Sequence, residues 1–580
     1  MKKFPATPLP PPGHILDRWT HAQFAHLTGG ISLASLRMAF EDWLTHLSHN
    51  PDEQAELARD AWQILHGLST NAIPVGPLSS KSTIEPVLAD RRFEHDAWKT
   101  WPYNAISQAF LLNEQWWHKA TTSVRGVSQH HTDVVSFTVR QLLDVASPAN
   151  FIWTNPEVLA RSMETSGANL WQGCQNFIDD VQRLQKHAPP AGTDEFKVGI
   201  NVATTPGKVI YRNRLVELIQ YEAAGKTVQP EPILIVPAWI MKYYILDLSP
   251  ANSLIKYLVD QGHTVFAISW INPGSSDRDL GMDDYLQHGV MDTIEAVSTL
   301  VPGKKIHAVG YCLGGTLLSI AAAAMGRDGD DRLATVSLLA AQTDFTEPGE
   351  LALFIDDSQV TFLEDIMWDQ GYLDNTQMAG AFQLLNSSDL LWSRMLRDYL
   401  MGQRAPMSDL MAWNADGTRL PYRMHSEYLR RLFLHNDLAS GRYLVYDRPV
   451  ALTDIQVPIF CVGTVRDHVA PWRSVFKLQL LADVDITFLL TSGGHNVGIV
   501  NPPGVPGRTY QVLTRVRDGK YLDPDAWLEA APIREGSWWP DWAAWLQARS
   551  GKPVASLPIG SAEKGLLPIC SAPGMYVLQK

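Results

Sequence analysis

The sequence predicts an α/β chain, with a largely parallel sheet covered by helices on both faces, an α-helical N-terminal domain before it and a helical insertion within it. Three observations carry this reading. After residue 208, short apolar runs that do not alternate with polar residues recur between helix-length segments, as strands buried on both faces do. Before residue 186, apolar residues instead return at three- and four-residue spacing, the period of a helix face. Between the fourth such run, Thr335 to Ala340, and the next, Pro458 to Val462, the stretch 341–457 reads as helical and carries no strand of this kind.

Composition limits the function classes. Of 580 residues 45% are hydrophobic and 19% charged, enough apolar material for a sizeable core and too little charge for a disordered chain. The balance of 48 basic and 61 acidic residues gives −13, and without a long basic run nucleic acid is excluded as the main partner. Cys174, Cys312, Cys461 and Cys570 form no CxxC pair, so neither a metal cluster nor a disulfide framework is expected, and scattered thiols suit a reducing compartment. Met1-Lys2-Lys3-Phe4 runs into prolines at 5, 8, 10, 11 and 12 rather than into an apolar signal core. The most apolar runs, such as Leu317 to Met325, fall far short of the ~20 residues of a membrane span, so no transmembrane segment and a cytoplasmic location are expected.

In chain order, residues 1–14 are Pro-rich and expected to be unstructured, and residues 1–190 form the helical N-terminal domain. Ala105 to Trp117 and Pro156 to Leu184 carry its helical period, with Asn155 placed to cap a helix that starts at Pro156. Pro189-Pro190 and Gly192 mark the boundary, and residues 191–580 form the second domain. Val209 to Tyr211 and Val216 to Tyr221 flank a turn near Arg212 to Arg214. Further strands follow at Ile233 to Val236, Thr264 to Trp270, Ile306 to Val309, Thr335 to Ala340, Pro458 to Val462 and Ile486 to Leu490. The insertion, about residues 345–450, is of the size of a cap or lid. Ser537 to Trp545, with four of the chain's 20 tryptophans, is expected to dock as an amphipathic helix.

The sharpest chemical signal is Gly310-Tyr311-Cys312-Leu313-Gly314-Gly315, between the strand Ile306 to Val309 and a helix from Thr316 to Met325. This is the strand–turn–helix setting of the G-x-S-x-G nucleophile elbow of the α/β-hydrolase fold, with Cys in place of Ser. The turn is sharp enough to strain the nucleophile's backbone, so its neighbours must lack bulk. It lifts the sulfur to the carboxyl edge of the sheet and leaves the Leu313 N–H at a helix start, ready for an oxyanion.

A thiol nucleophile needs a base and a group to orient it, and in this fold they follow in the order acid, then His. Asp467 comes just after the strand Pro458 to Val462, and His495 just after Ile486 to Leu490 and Ser492-Gly493-Gly494. His468 is the rival base, but neighbouring side chains of an extended segment point opposite ways, so only one of Asp467 and His468 faces the sulfur. A second oxyanion N–H is expected from Trp239 or Ile240, after Ile233 to Val236, with Ile240 preferred. Cysteine also bears on the substrate. An acyl-cysteine is a thioester, so an acyl-CoA exchanges onto it with little free-energy change and the acyl group stays activated for transfer to an oxygen nucleophile. A free thiol titrates near ~8.5, which calls for the imidazole beside it.

Beyond the elbow, the sequence resembles class I polyhydroxyalkanoate (poly-3-hydroxyalkanoate) synthases. The resemblance is carried by Lys242 to Leu248, Gln261 to Phe266, Ser269 to Pro273, Trp413 to Asp416, Asp467 to Trp472, Gly494 to Pro503 and Ser537 to Trp545, with Ser147 to Phe151 and Thr154 to Glu157 upstream, over roughly residues 90–580. It implies an α/β-hydrolase core with a helical lid insertion and a catalytic Cys312, Asp467 and His495. It implies an acyltransferase that polymerises (R)-3-hydroxyacyl-CoA into a polyester and releases coenzyme A, with no cofactor and no metal. It further implies a homodimer working at the surface of a cytoplasmic polyhydroxyalkanoate granule among granule-associated proteins. Two other readings compete: an acyl-CoA thioesterase or polyester hydrolase on the same fold, and a non-catalytic granule-binding protein.

Overall fold

The computed structural model describes residues 15–71, 90–375, 377–378 and 391–580; the Pro-rich residues 1–14 lie outside this set. The chain divides into two compact units. One holds the N-terminal residues up to Gly30, Gly192–Asn375 and Met407–Lys580; the other holds Ile31–Ala191 and Thr376–Pro406. The units change between Ala191 and Gly192, and two pieces cross the simple division into 1–190 and 191–580.

The first is helix α1 (Ile15–Leu27), which belongs with the sheet. Its buried residues are Ala22 and Ala25, small enough for close helix packing. His21 Nδ1 meets Asp365 Oδ2 at 2.9 Å, and Gln359 Nε2 donates to Gly30 O at 2.5 Å. The second is the part of the insertion from Thr376 to Pro406, which belongs with the helices. Asn169 and Asn176 donate to the carbonyls of Leu400 and Asp398, each at 2.8 Å, and Arg404 reaches Asp179 and Asp180. Contacts between residues this far apart leave no local trace in the sequence.

The helical unit contains α2 (Leu33–Ser48), α3 (Pro51–Asn71), α4 (Tyr103–Thr122), α5 (Gln129–Val145), α6 (Pro156–Glu164) and α7 (Ala168–Gln185). Asn155 Oδ1 accepts from the N–H groups of Glu157 and Val158 at 3.0 and 3.2 Å, satisfying two of the free donors at the start of α6. The helical period of Pro156 to Leu184 is broken between α6 and α7, where Ser166 and Gly167 take φ of 50° and 82°.

The second unit is built on an eleven-stranded sheet. Its strands are β1 (Gly207–Arg212), β2 (Val216–Tyr221), β3 (Ile233–Val236), β4 (Val265–Trp270), β5 (Ile306–Tyr311), β6 (Leu333–Leu339), β7 (Ile459–Thr464), β8 (Ile486–Thr491), β9 (Thr509–Arg515), β10 (Ile533–Glu535) and β11 (Cys570–Ser571). The order is β10-β9-β8-β7-β6-β5-β3-β4-β2-β1-β11. Pairing is parallel from β4 through β8 and antiparallel outside them. β3, β4, β5, β7 and β8 are buried at every residue, as covered parallel strands require. The sequence reading lacks β9 to β11, antiparallel strands towards the sheet's edges.

The remaining helices include α8 (Leu313–Asp328), α9 (Asp357–Gln370), α10 (Tyr422–Tyr428) and α11 (Trp539–Gln547). The insertion adds short helical turns, an antiparallel pairing of Tyr372–Leu373 with Leu420–Pro421, and the hairpin Tyr443–Val445 with Arg448–Val450. At α11, Trp538, Trp539 and Trp542 are fully buried. Their indole N–H groups donate to Gly498 O, Ile499 O and Ser337 Oγ at 2.9, 3.0 and 3.0 Å. The expected docking helix therefore also holds the chain just after His495.

Candidate active site

β5 ends at Tyr311 and α8 begins at Leu313, so Cys312 forms the turn between them with φ 51° and ψ −125°. An L-residue pays steric strain there, and only a tight surrounding holds it. The Cys312 N–H donates to Leu339 O on the adjacent β6 at 2.9 Å, and Cys312 O accepts from Gly315 at 2.9 Å. The glycines are required by close approach. A Cβ on Gly310 would lie 2.3 Å from Gly315 Cα, and one on Gly314 would lie 2.1 Å from Val236 O. Half-buried Cys312 thus stands at the carboxyl edge of the sheet. The Leu313 N–H beside it belongs to the first turn of α8, whose donors have no partner within the helix.

The contact between Gly314 and the Val236 and Pro237 carbonyls brings the loop after β3 against the start of α8. That loop is pinned by Trp270 Nε1 donating to Pro237 O at 2.9 Å and by Thr418 Oγ1 donating to Trp239 O at 2.6 Å. Trp239 is buried against Trp270 and Tyr285, while Ile240 is half-buried.

Asp467 follows β7 and is buried. Its Oδ1 accepts from the N–H groups of Val469 and Ala470 at 2.9 and 2.8 Å, and its Oδ2 from Thr464 Oγ1 at 2.8 Å. Oδ2 also meets His495 Nδ1 at 2.8 Å. Burial pushes the Asp467 carboxyl up, but the His495 charge and these donors hold it below the usual carboxylate range. For His495, burial works against the charged form. The charges of Asp467 and Cys312 and hydrogen bonds to both outweigh it, and the imidazole titrates well above its ordinary value. With Nδ1 engaged by Asp467, Nε2 is the nitrogen left for Cys312. Side chains from three strand ends, up to 183 residues apart along the chain (495 − 312), therefore come together at this edge of the sheet. His468 is exposed beside buried Asp467, in a turn rather than the extended segment expected.

Residues 89–258 match the family model described as poly-beta-hydroxybutyrate polymerase (PhaC) N-terminus, and residues 11–52 match poly-beta-hydroxybutyrate polymerase N terminal. Residues 231–502 match the alpha/beta hydrolase fold. The poly(3-hydroxyalkanoate) polymerase of Methylorubrum extorquens is 38% identical over 506 residues, 86% of this chain and 82% of that one. The polymerase subunits PhaC of Rhizobium meliloti and Cupriavidus necator are 38% and 36% identical, covering 84% and 85% of this chain and 79% and 84% of theirs. The chain belongs to the poly(3-hydroxyalkanoate) polymerase family.

The polymerase site also contains groups that the motif reading misses. Tyr428, at the end of α10 in the insertion, is buried, and burial followed by the nearby Cys312 charge pushes its phenol far up. It packs with Phe345 and Phe433, whose ring centres lie 4.8 Å apart, so part of the insertion is an aromatic cover near the sulfur. Tyr311 Oη donates to Asn496 Oδ1 at 2.6 Å, and the Tyr311 ring lies 5.8 Å from that of His495. Both residues adjoin catalytic candidates in sequence, and that adjacency is the one signal that could have found them.

Proposed function

We propose that this chain polymerises (R)-3-hydroxyacyl-CoA into polyhydroxyalkanoate through an acyl-cysteine on Cys312. The observation that carries the reading is cysteine at the elbow on the carboxyl edge of the sheet, with the bonded pair His495 and Asp467 beside it.

His495 Nε2 takes the Cys312 proton, and the thiolate attacks the thioester carbonyl of the hydroxyacyl-CoA. The N–H groups of Leu313 and Ile240 stabilise the oxyanion. The carbon–sulfur bond to coenzyme A then breaks, and the departing thiolate takes the proton from His495. One thioester has replaced another, so activation is conserved. His495 next takes the proton of a 3-hydroxyl from another unit, whose oxygen attacks the acyl-cysteine. The ester bond forms, the Cys312 sulfur leaves, and the proton returns to it. Asp467 orients the imidazole and supports its positive charge in both halves. Water in place of the hydroxyl would give the free acid, so the cover of Phe345, Tyr428 and Phe433 favours polymer.

The same reading requires no cofactor, coenzyme A leaving as product. It includes a homodimer and a place on the polyester granule with granule-associated proteins. Among the described residues no helix is long and apolar enough to cross a membrane, while Trp153 and Trp171 stand exposed on the helical unit, suited to an apolar surface.

The experiment supplies 3-hydroxybutyryl-CoA and follows both coenzyme A release and insoluble polymer. Cys312→Ala should abolish both; substantial remaining turnover would refute the role of the thiol. Free hydroxy acid without polymer from the parent protein would make it a thioesterase instead.

A further inference from the structure

We infer that Tyr311 and Asn496 form a positioning couple that holds the His495 imidazole in place through both halves of the reaction. The inference rests on the assignment of Cys312 and His495 above. Tyr311 is the last residue of β5 and immediately precedes Cys312, while Asn496 immediately follows His495. Their hydrogen bond at 2.6 Å therefore ties the nucleophile's strand directly to the loop that carries the base.

That loop is not a regular element. Its local bonds are Gly498 N–H to Gly494 O at 2.8 Å, and the N–H groups of Ile499 and Val500 to Asn496 O at 3.1 and 2.9 Å. Asn496 thus organises the turn with its carbonyl and anchors it with its side chain. Tyr311 is buried, and a buried phenol needs an acceptor, which Asn496 provides. Its ring forms a wall against the imidazole, with 38° between the planes.

The need for such a couple follows from the chemistry. Before acylation, Asp467 holds His495 on one side at 2.8 Å, and in the mechanism above the hydrogen bond shared with the Cys312 thiol holds the other. Once the sulfur carries an acyl group, it has no proton to share and that second bond is lost. The imidazole must still receive the attacking hydroxyl's proton from the same pose. Asp467 then fixes Nδ1, and the Tyr311–Asn496 couple fixes the ring face and the backbone. Tyr311 and Asn496 move no proton themselves.

The test compares Tyr311→Phe, Asn496→Ala and the double variant in the full-length protein. Coenzyme A release from 3-hydroxybutyryl-CoA gives kcat and KM. Iodoacetamide alkylation of Cys312 across pH, read by mass spectrometry, gives the thiolate's midpoint. Each single variant should lose about tenfold in kcat, the scale of one buried hydrogen bond, with KM changed less than about twofold. The alkylation midpoint should rise in both, and the double variant should fall no more than about twofold below the poorer single, because both remove the same bond. Parent-like kcat and alkylation profile in Tyr311→Phe, or losses that multiply in the double variant, would overturn the couple. Should Tyr311→Phe fail to fold, the half-buried Asn496→Ala carries the same two readouts. Parent-like Tyr311→Phe beside an inactive Cys312→Ala defeats this inference alone; an active Cys312→Ala defeats the assignment beneath it.

Discussion

Asp467 shows how much of the site is built to fix one carboxylate. Two backbone N–H groups hold Oδ1, and Thr464 Oγ1 shares Oδ2 with His495. The carboxylate therefore cannot rotate away, and its charge is supported by donors that cost no reorganisation when His495 becomes an imidazolium. Asp467→Asn keeps the shape but removes the charge that favours the protonated imidazole. Its amide nitrogen also competes as a donor with the N–H of His495 Nδ1. We expect kcat for coenzyme A release to fall by about 10²–10⁴, the usual contribution of a positioned base, with KM little changed. A loss of less than tenfold would mean that the carboxylate does not orient the base.

The elements that position these residues differ in how readable they are. The apolar runs Ile306 to Val309 and Ile486 to Leu490 belong to strands buried at every position, so burial itself writes the signal. β9, Thr509–Arg515, instead mixes Thr, Gln and Arg with Tyr, Val and Leu. It lies towards an edge and is only partly buried, so its composition resembles a loop. The elbow is legible because steric demand selects glycine at fixed spacing, and Asp467 and His495 because the fold orders them. Tyr428 is not, since its approach to Cys312 depends on how the insertion packs. Nor are the allegiances of α1 and of residues 376–406, which rest on contacts such as His21 with Asp365 and Asn169 with Leu400. At the start of α6 a local signal does suffice, since Asn155 caps two N–H groups. Asn155→Ala should lower the unfolding free energy by about 1 kcal/mol, read as an earlier urea midpoint at unchanged slope. A midpoint equal to the parent's would show that the cap contributes nothing.

For the molecule as a whole, pH is the condition most directly tied to its interior. His263, His307 and His425 are buried, and burial lowers each to about 4. His307 is held by Thr335 Oγ1 and Ser550 Oγ at 2.8 and 3.0 Å, whereas Nδ1 of His263 has no hydrogen-bond partner among the described residues. In the unfolded chain each would titrate near ~6.5. Between that value and about 4 the unfolded state binds protons that the folded state refuses, so these three groups make stability fall as pH falls through this window. Each contributes at most about 1.4 kcal/mol per pH unit. His495 acts with the opposite sign. Its value is raised, so its share of stability is fully present below ~6.5 and is lost only as pH rises through its higher folded value. The melting temperature should therefore drop between pH 7 and pH 5, and the drop should be smaller in His263→Phe, which keeps an aromatic ring and removes the titration. Equal drops in parent and variant would show that His263 takes up its proton without unfolding the sheet around it.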